Sequence, residues 1–89
     1  MRVHRLTIAN DFGIEELQRM SQEAGKFSAD ILIEYEEDGT SFKIDVKSVL
    51  GTMLLALRRG TDILLRTKGK DEEEAIHWIS DTFERGSRT

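Results

Sequence analysis

Apolar residues recur along this chain with two periods, and the switches between them outline its elements. His4, Leu6 and Ile8 alternate with Val3, Arg5 and Thr7, which predicts a strand over residues 3–9. The period then lengthens: Leu17, Met20, Ser21 and Ala24 recur at helical spacing, predicting a helix over 14–24 with those four on its buried stripe. Ile31, Ile33 and Tyr35 share one face of a strand over 31–35, and Phe42, Ile44 and Val46 share one face of a strand over 42–46. Leu50, Met53, Leu54 and Leu57 return to helical spacing and predict a helix over 49–57. A strand over 62–67 follows, then a helix whose stripe is Ala75, Ile76, Ile79 and Phe83. The expected order is β-α-β-β-α-β-α.

The punctuation agrees with this outline. Asn10-Asp11-Phe12-Gly13 reads as a turn, and Gly25 and Gly60 close helices. Asp38-Gly39 is a hairpin signal, because both residues tolerate positive φ. Glu15 and Glu16 favour the positive end of the first helix dipole, and Asp71 with Glu74 three residues on reads as a capping box for the last helix. His77 and Trp78 lie off the centre of the last stripe and are expected to be partly exposed. Hairpin-linked strands and amphipathic helices predict an α+β fold. It is an open-faced β-sandwich: a four-stranded antiparallel sheet with three helices on one face and the other face partly solvated.

Composition narrows the chemistry. The 89 residues suit one domain, expected over 1–84 with a frayed tail over 85–89. There is no cysteine, which excludes disulfides and thiolate chemistry. His4 and His77 stand far apart in sequence without metal-ligand spacing, so no metal and no cofactor is expected. A net charge of −4 argues against direct nucleic-acid binding. No apolar run approaches the roughly 20 residues that span a bilayer, and no signal-peptide pattern opens the chain, so a cytoplasmic protein is expected. Glu15 and Glu16 do not make a catalytic pair, because adjacent helix positions do not face each other. Lys68-Gly69-Lys70 lacks the flanking residues of a phosphate-binding P-loop.

Two features remain as candidate sites. Ser48 stands between the strand ending at Val46 and the apolar helix that follows, where an N-cap belongs. Its hydroxyl can serve as an ordinary cap. A phosphate there would equally meet unpaired N–H groups and the positive end of a dipole. The helix over 49–57 is apolar beyond one stripe, so Val49, Leu50 and Met53 are candidates for an exposed binding patch. Phe12, an aromatic in a turn, is either buried or a contact anchor.

This order, with Lys47-Ser48-Val49-Leu50-Gly51 after the third strand, resembles the HPr family of small phosphocarriers of the bacterial sugar phosphotransferase system. Residues 29–35 look like the family's second strand, and Lys47-Ser48 with Gly51, Met53 and Leu55 looks like its regulatory-serine motif. Arg59-Gly60-Thr61-Asp62 and residues 69–75 look like the turns around its fourth strand. Thr52 departs from the usual apolar residue of the serine motif. The larger departure is at the first turn, where the family carries Gly-apolar-His-x-Arg-Pro. This chain has Gly13-Ile14-Glu15-Glu16-Leu17-Gln18, so glutamate stands at the histidine, leucine at the arginine and glutamine at the proline. Aligned instead at Ala24 and Lys26, the segment is slightly shorter and Gly13 falls near the histidine position. Both alignments remove imidazole, arginine and proline together.

Reversible phosphoryl relay uses a neutral imidazole nitrogen, and two glutamates without a cation would repel a phosphate donor. The expectation is a carrier-dead, non-enzymatic regulatory protein of carbon metabolism. The resemblance implies phosphorylation at Ser48 by HPr kinase/phosphorylase and docking on a catabolite-repression transcriptional regulator, as in the family's histidine-lacking branch. Phe12, Lys47, Val49, Leu50 and Met53 are the expected partner contacts. An interaction module without phosphorylation and a divergent phosphocarrier are the alternatives.

Overall fold

The computed structural model describes residues 1–48 and 58–85. These form β1 (Arg2–Thr7), α1 (Ile14–Ala24), β2 (Asp30–Glu37), β3 (Thr40–Asp45), β4 (Asp62–Lys68) and α2 (Glu72–Arg85). The described chain thus has two helices rather than the three expected. The middle helix, read over 49–57, lies outside the described residues. So do Val49, Leu50 and Met53, and the tail from 86 on.

The strands make one antiparallel sheet in the order β1-β4-β2-β3. Only β2 and β3 are sequential neighbours. They are joined by Asp38 and Gly39 at φ 51° and 79°, the doubly positive turn that matches the twist of a hairpin. Alternation assigns the faces. The register sets His4 beside Leu65, Leu65 beside Ile33, and Ile33 beside Ile44. Ile31, Ile33, Ile63, Leu65 and Val46 are buried on this inner face. They share one core with Leu17, Met20 and Ala24 of α1 and with Ala75, Ile76, Ile79 and Phe83 of α2. Both helical stripes match the pattern read from the sequence, because a helix on a sheet buries about one-third of its circumference and the 3.6-residue period marks which third.

The other face carries Arg5, Leu64, Glu34 and Lys43 in one cross-strand row and Val3, Arg66, Leu32 and Asp45 in the next. Arg66 and Glu34 form an ion pair across β4 and β2. At the far end of the inner face, the Tyr35 and Phe42 rings stack with centroids 5.1 Å apart. Desolvation, helped by the charge of Glu37, raises the Tyr35 phenol above its ordinary pKa.

Asp71 departs from the expected capping box. Its carboxylate instead reaches across to the segment before β2. It accepts hydrogen bonds from the backbone N–H of Ser28 at 3.0 Å, the Ser28 hydroxyl at 3.2 Å and the backbone N–H of Ala29 at 2.7 Å. These bonds favour the charged form, the Ser28 backbone N–H most, and hold the carboxyl below the ordinary carboxylate pKa. A depressed folded-state pKa contributes stability above the ordinary value and loses it as pH falls through the folded one. Asp71→Asn is therefore expected to unfold at lower urea than the native chain at about pH 7, with the gap closing as pH falls below the ordinary aspartate range and through the depressed folded-state value. Paired urea titrations across that range measure it, and a constant gap would refute the assignment.

No helix among the described residues is long and apolar enough to cross a membrane.

Candidate functional site

The first turn of α1 is Ile14-Glu15-Glu16-Leu17, entered through Gly13. Gly13 caps α1 with extended backbone (φ −85°, ψ 172°), and the N–H of Leu17 donates to its carbonyl at 3.1 Å. A glycine has no side chain with which to cap. The neighbouring donor is satisfied from inside the helix instead: Glu16 Oε1 accepts the Gly13 N–H at 2.7 Å. Glu16 is thus a structural acceptor, completing one half of a capping box. Glu15 and Ile14 are exposed, Ile14 with 57% of its surface in solvent. An isoleucine left in water at a helix start is a surface feature that the sequence pattern did not single out.

Phe12 is half-buried, its ring 5.1 Å from that of Phe83, which seats the turn before α1 on the core. Asp11 extends the same turn, accepting the Arg59 backbone N–H at 2.7 Å.

Ser48 lies at the end of a short, heavily tied segment. Val46 is fully buried and its N–H donates to the Ile31 carbonyl at 2.9 Å, extending the strand pairing one residue past β3. Lys47 Nζ donates to the Phe27 carbonyl at 2.7 Å. That bond joins the end of β3 to the α1–β2 connection, where Phe27 packs 5.3 Å from Trp78. Asp45 supplies both remaining acceptors, Oδ1 to the Lys47 N–H and its carbonyl to the Ser48 N–H, each at 3.0 Å. Ser48 itself is exposed. Asp45 escaped the sequence reading, although an aspartate two residues before a turn amide is the signature of an Asx turn.

The two histidines, distant in sequence, meet in one open groove between β1 and α2. It is lined by Arg2, His4, Glu73, His77, Asp81 and Glu84 among others, and His4 Nε2 lies 3.6 Å from Glu84. Among the described residues no three His, Cys, Asp or Glu side chains are grouped to hold a metal ion.

Comparison with known proteins fits this geometry. The family model described as "PTS HPr component phosphorylation site" matches residues 4–85. The chain belongs to the HPr family. Over 59 residues it is 42% identical to the HPr-like protein Crh of Bacillus subtilis, covering 66% of this chain and 65% of that one, just under two thirds of the relative's length. It is 31% identical over 86 residues to the phosphocarrier protein HPr of Xylella fastidiosa, covering 94% of this chain and 92% of the relative. The crystal structure of HPr-C-His from Thermoanaerobacter tengcongensis superposes with a TM-score of 0.76 at 34% identity, covering 94% of this chain and 92% of that one. HPr and HPr-like proteins are carriers or regulators, not enzymes, and the chain shares their α+β fold.

Proposed function

We propose that this chain is a carrier-dead, HPr-like regulatory protein of bacterial carbon metabolism, switched by phosphorylation at Ser48. The observation that carries the reading is the start of α1. The segment from Gly13 to Gln18 holds no histidine, and the Gly13 N–H donates to the Glu16 carboxylate. A carboxylate seated there opposes an incoming phosphate where an imidazole would receive one. Ser48, by contrast, is exposed on a turn that ends a buried strand extension. The similarity to Crh supports a regulatory rather than a relay role.

In the proposed switch, Ser48 Oγ attacks the γ-phosphorus of ATP. The bond from that phosphorus to the bridging oxygen breaks, ADP leaves, and the hydroxyl proton passes to a base of the kinase. HPr kinase/phosphorylase is the proposed kinase, and a catabolite-repression transcriptional regulator the proposed partner of the product, both in the cytoplasm. The added charge of about −1.5 to −2 would suit an arginine-bearing surface. The likeness to a phosphocarrier HPr over nearly the whole chain favours a second reading, a divergent carrier.

Intact-mass spectrometry separates the two. Incubation with the kinase and ATP is expected to add one phosphate, absent in Ser48→Ala. Incubation with enzyme I and phosphoenolpyruvate is expected to add none. No phosphate from the kinase would overturn the switch, and phosphate from enzyme I would establish the carrier.

A further inference from the structure

We infer that Asp45 is the positioning residue that presents Ser48 for phosphorylation. The inference rests on the reading of Ser48 as the phosphoacceptor. One side chain and one carbonyl of the same residue take the two amides that set the direction of the chain into Ser48, those of Lys47 and of Ser48 itself, each at 3.0 Å. The turn is braced from three sides. Val46 is buried behind it, the Val46 N–H is bonded to Ile31, and Lys47 Nζ is bonded to Phe27. Of these ties, the Asp45 carboxylate is the one made by an exposed side chain at no cost to the core.

A turn held in one conformation spares an enzyme the cost of ordering it. If the productive conformer becomes a fraction of the ensemble, the apparent affinity falls by that fraction while the chemical step is unchanged. The work of Asp45 lies in its acceptor oxygen, not its charge. Its negative charge in fact opposes the product, since transfer from ATP places a dianionic phosphate on Ser48 Oγ, three residues along the turn. The two roles separate cleanly in substitutions: Asp45→Asn keeps an oxygen for the Lys47 N–H and removes the charge, whereas Asp45→Ala removes both.

The test uses the full chain, ATP and the serine kinase of the preceding experiment. Asp45→Ala is expected to raise KM for the protein about ten-fold with kcat within about two-fold of the native value. Asp45→Asn is expected to match or exceed the native chain. Hydrogen exchange, read on the protein alone, is expected to speed at the Lys47 amide in Asp45→Ala and to stay slow in Asp45→Asn, with thermal unfolding confirming that both fold. If native protein is phosphorylated and Asp45→Ala behaves identically, the positioning role is overturned and the phosphoacceptor stands. An Asp45→Asn as slow as Asp45→Ala, or a fall in kcat at unchanged KM, overturns it too. A native chain left unmodified overturns the phosphoacceptor reading itself.

Discussion

Phe83→Ala is expected to destabilise the protein by about 3–5 kcal/mol, the cost of deleting a buried aromatic ring and leaving a cavity. Phe83 is fully buried in the cluster that joins α2 to the sheet. A domain of this size has roughly 5–10 kcal/mol in total, so a substantial population would unfold on mild heating. The effect should reach the start of α1 first. The Phe83 ring is the 5.1 Å neighbour of Phe12, and Phe12 seats the turn that leads into Gly13. Urea titration gives the loss. Amide exchange at Gly13 and Leu17 is expected to speed well before exchange in β4. Phe83→Leu keeps most of the volume and should cost under about 1.5 kcal/mol beyond the lost ring contact. Equal losses in the two variants would show that packing at this position is not what matters.

The second large effect is at Gly69. Its backbone sits at φ 148°, which side chains rarely adopt, and a Cβ added there would lie 2.6 Å from the Ala29 Cα and 3.0 Å from its Cβ. The neighbour cannot retreat. Ala29 is fully buried, and its N–H is held by the Asp71 carboxylate. Gly69→Ala is therefore expected to cost about 2–4 kcal/mol, combining backbone strain with a clash against main chain. Differential scanning calorimetry would register it. Gly39→Ala is the internal comparison, since that glycine also has positive φ (79°) but open space around it, so it bears strain alone. Equal losses at the two positions would remove the clash from the explanation.

The candidate site was legible in the sequence to an uneven degree. The missing carrier histidine could be read directly, because an absent imidazole needs no geometry. Ser48 stood out because it falls where the hydrophobic period changes from two to helical. What the pattern could not reveal is that Glu16 turns back to the Gly13 N–H, or that Lys47 is tied to the Phe27 carbonyl. The first is local but depends on a rotamer. The second joins residues 20 apart and exists only once β3 and the α1–β2 connection have been brought together.

By itself the sequence determined the elements within its reach. The helix over Ile14–Ala24, its buried stripe, the stripe of α2 and the Asp38-Gly39 hairpin all follow from periodicity and turn chemistry, which act over a few residues. It also determined that no histidine stands at the first turn. Only the tertiary structure decided the strand order β1-β4-β2-β3, since β1 and β4 meet across most of the chain and alternation marks a face but names no neighbour. The same long-range pairing turned Asp71 from a local cap into the anchor of Ser28 and Ala29, and brought His4 and His77 into one groove. It also backed Val46 against the core, which gives the turn made by Asp45 before Ser48 a fixed base.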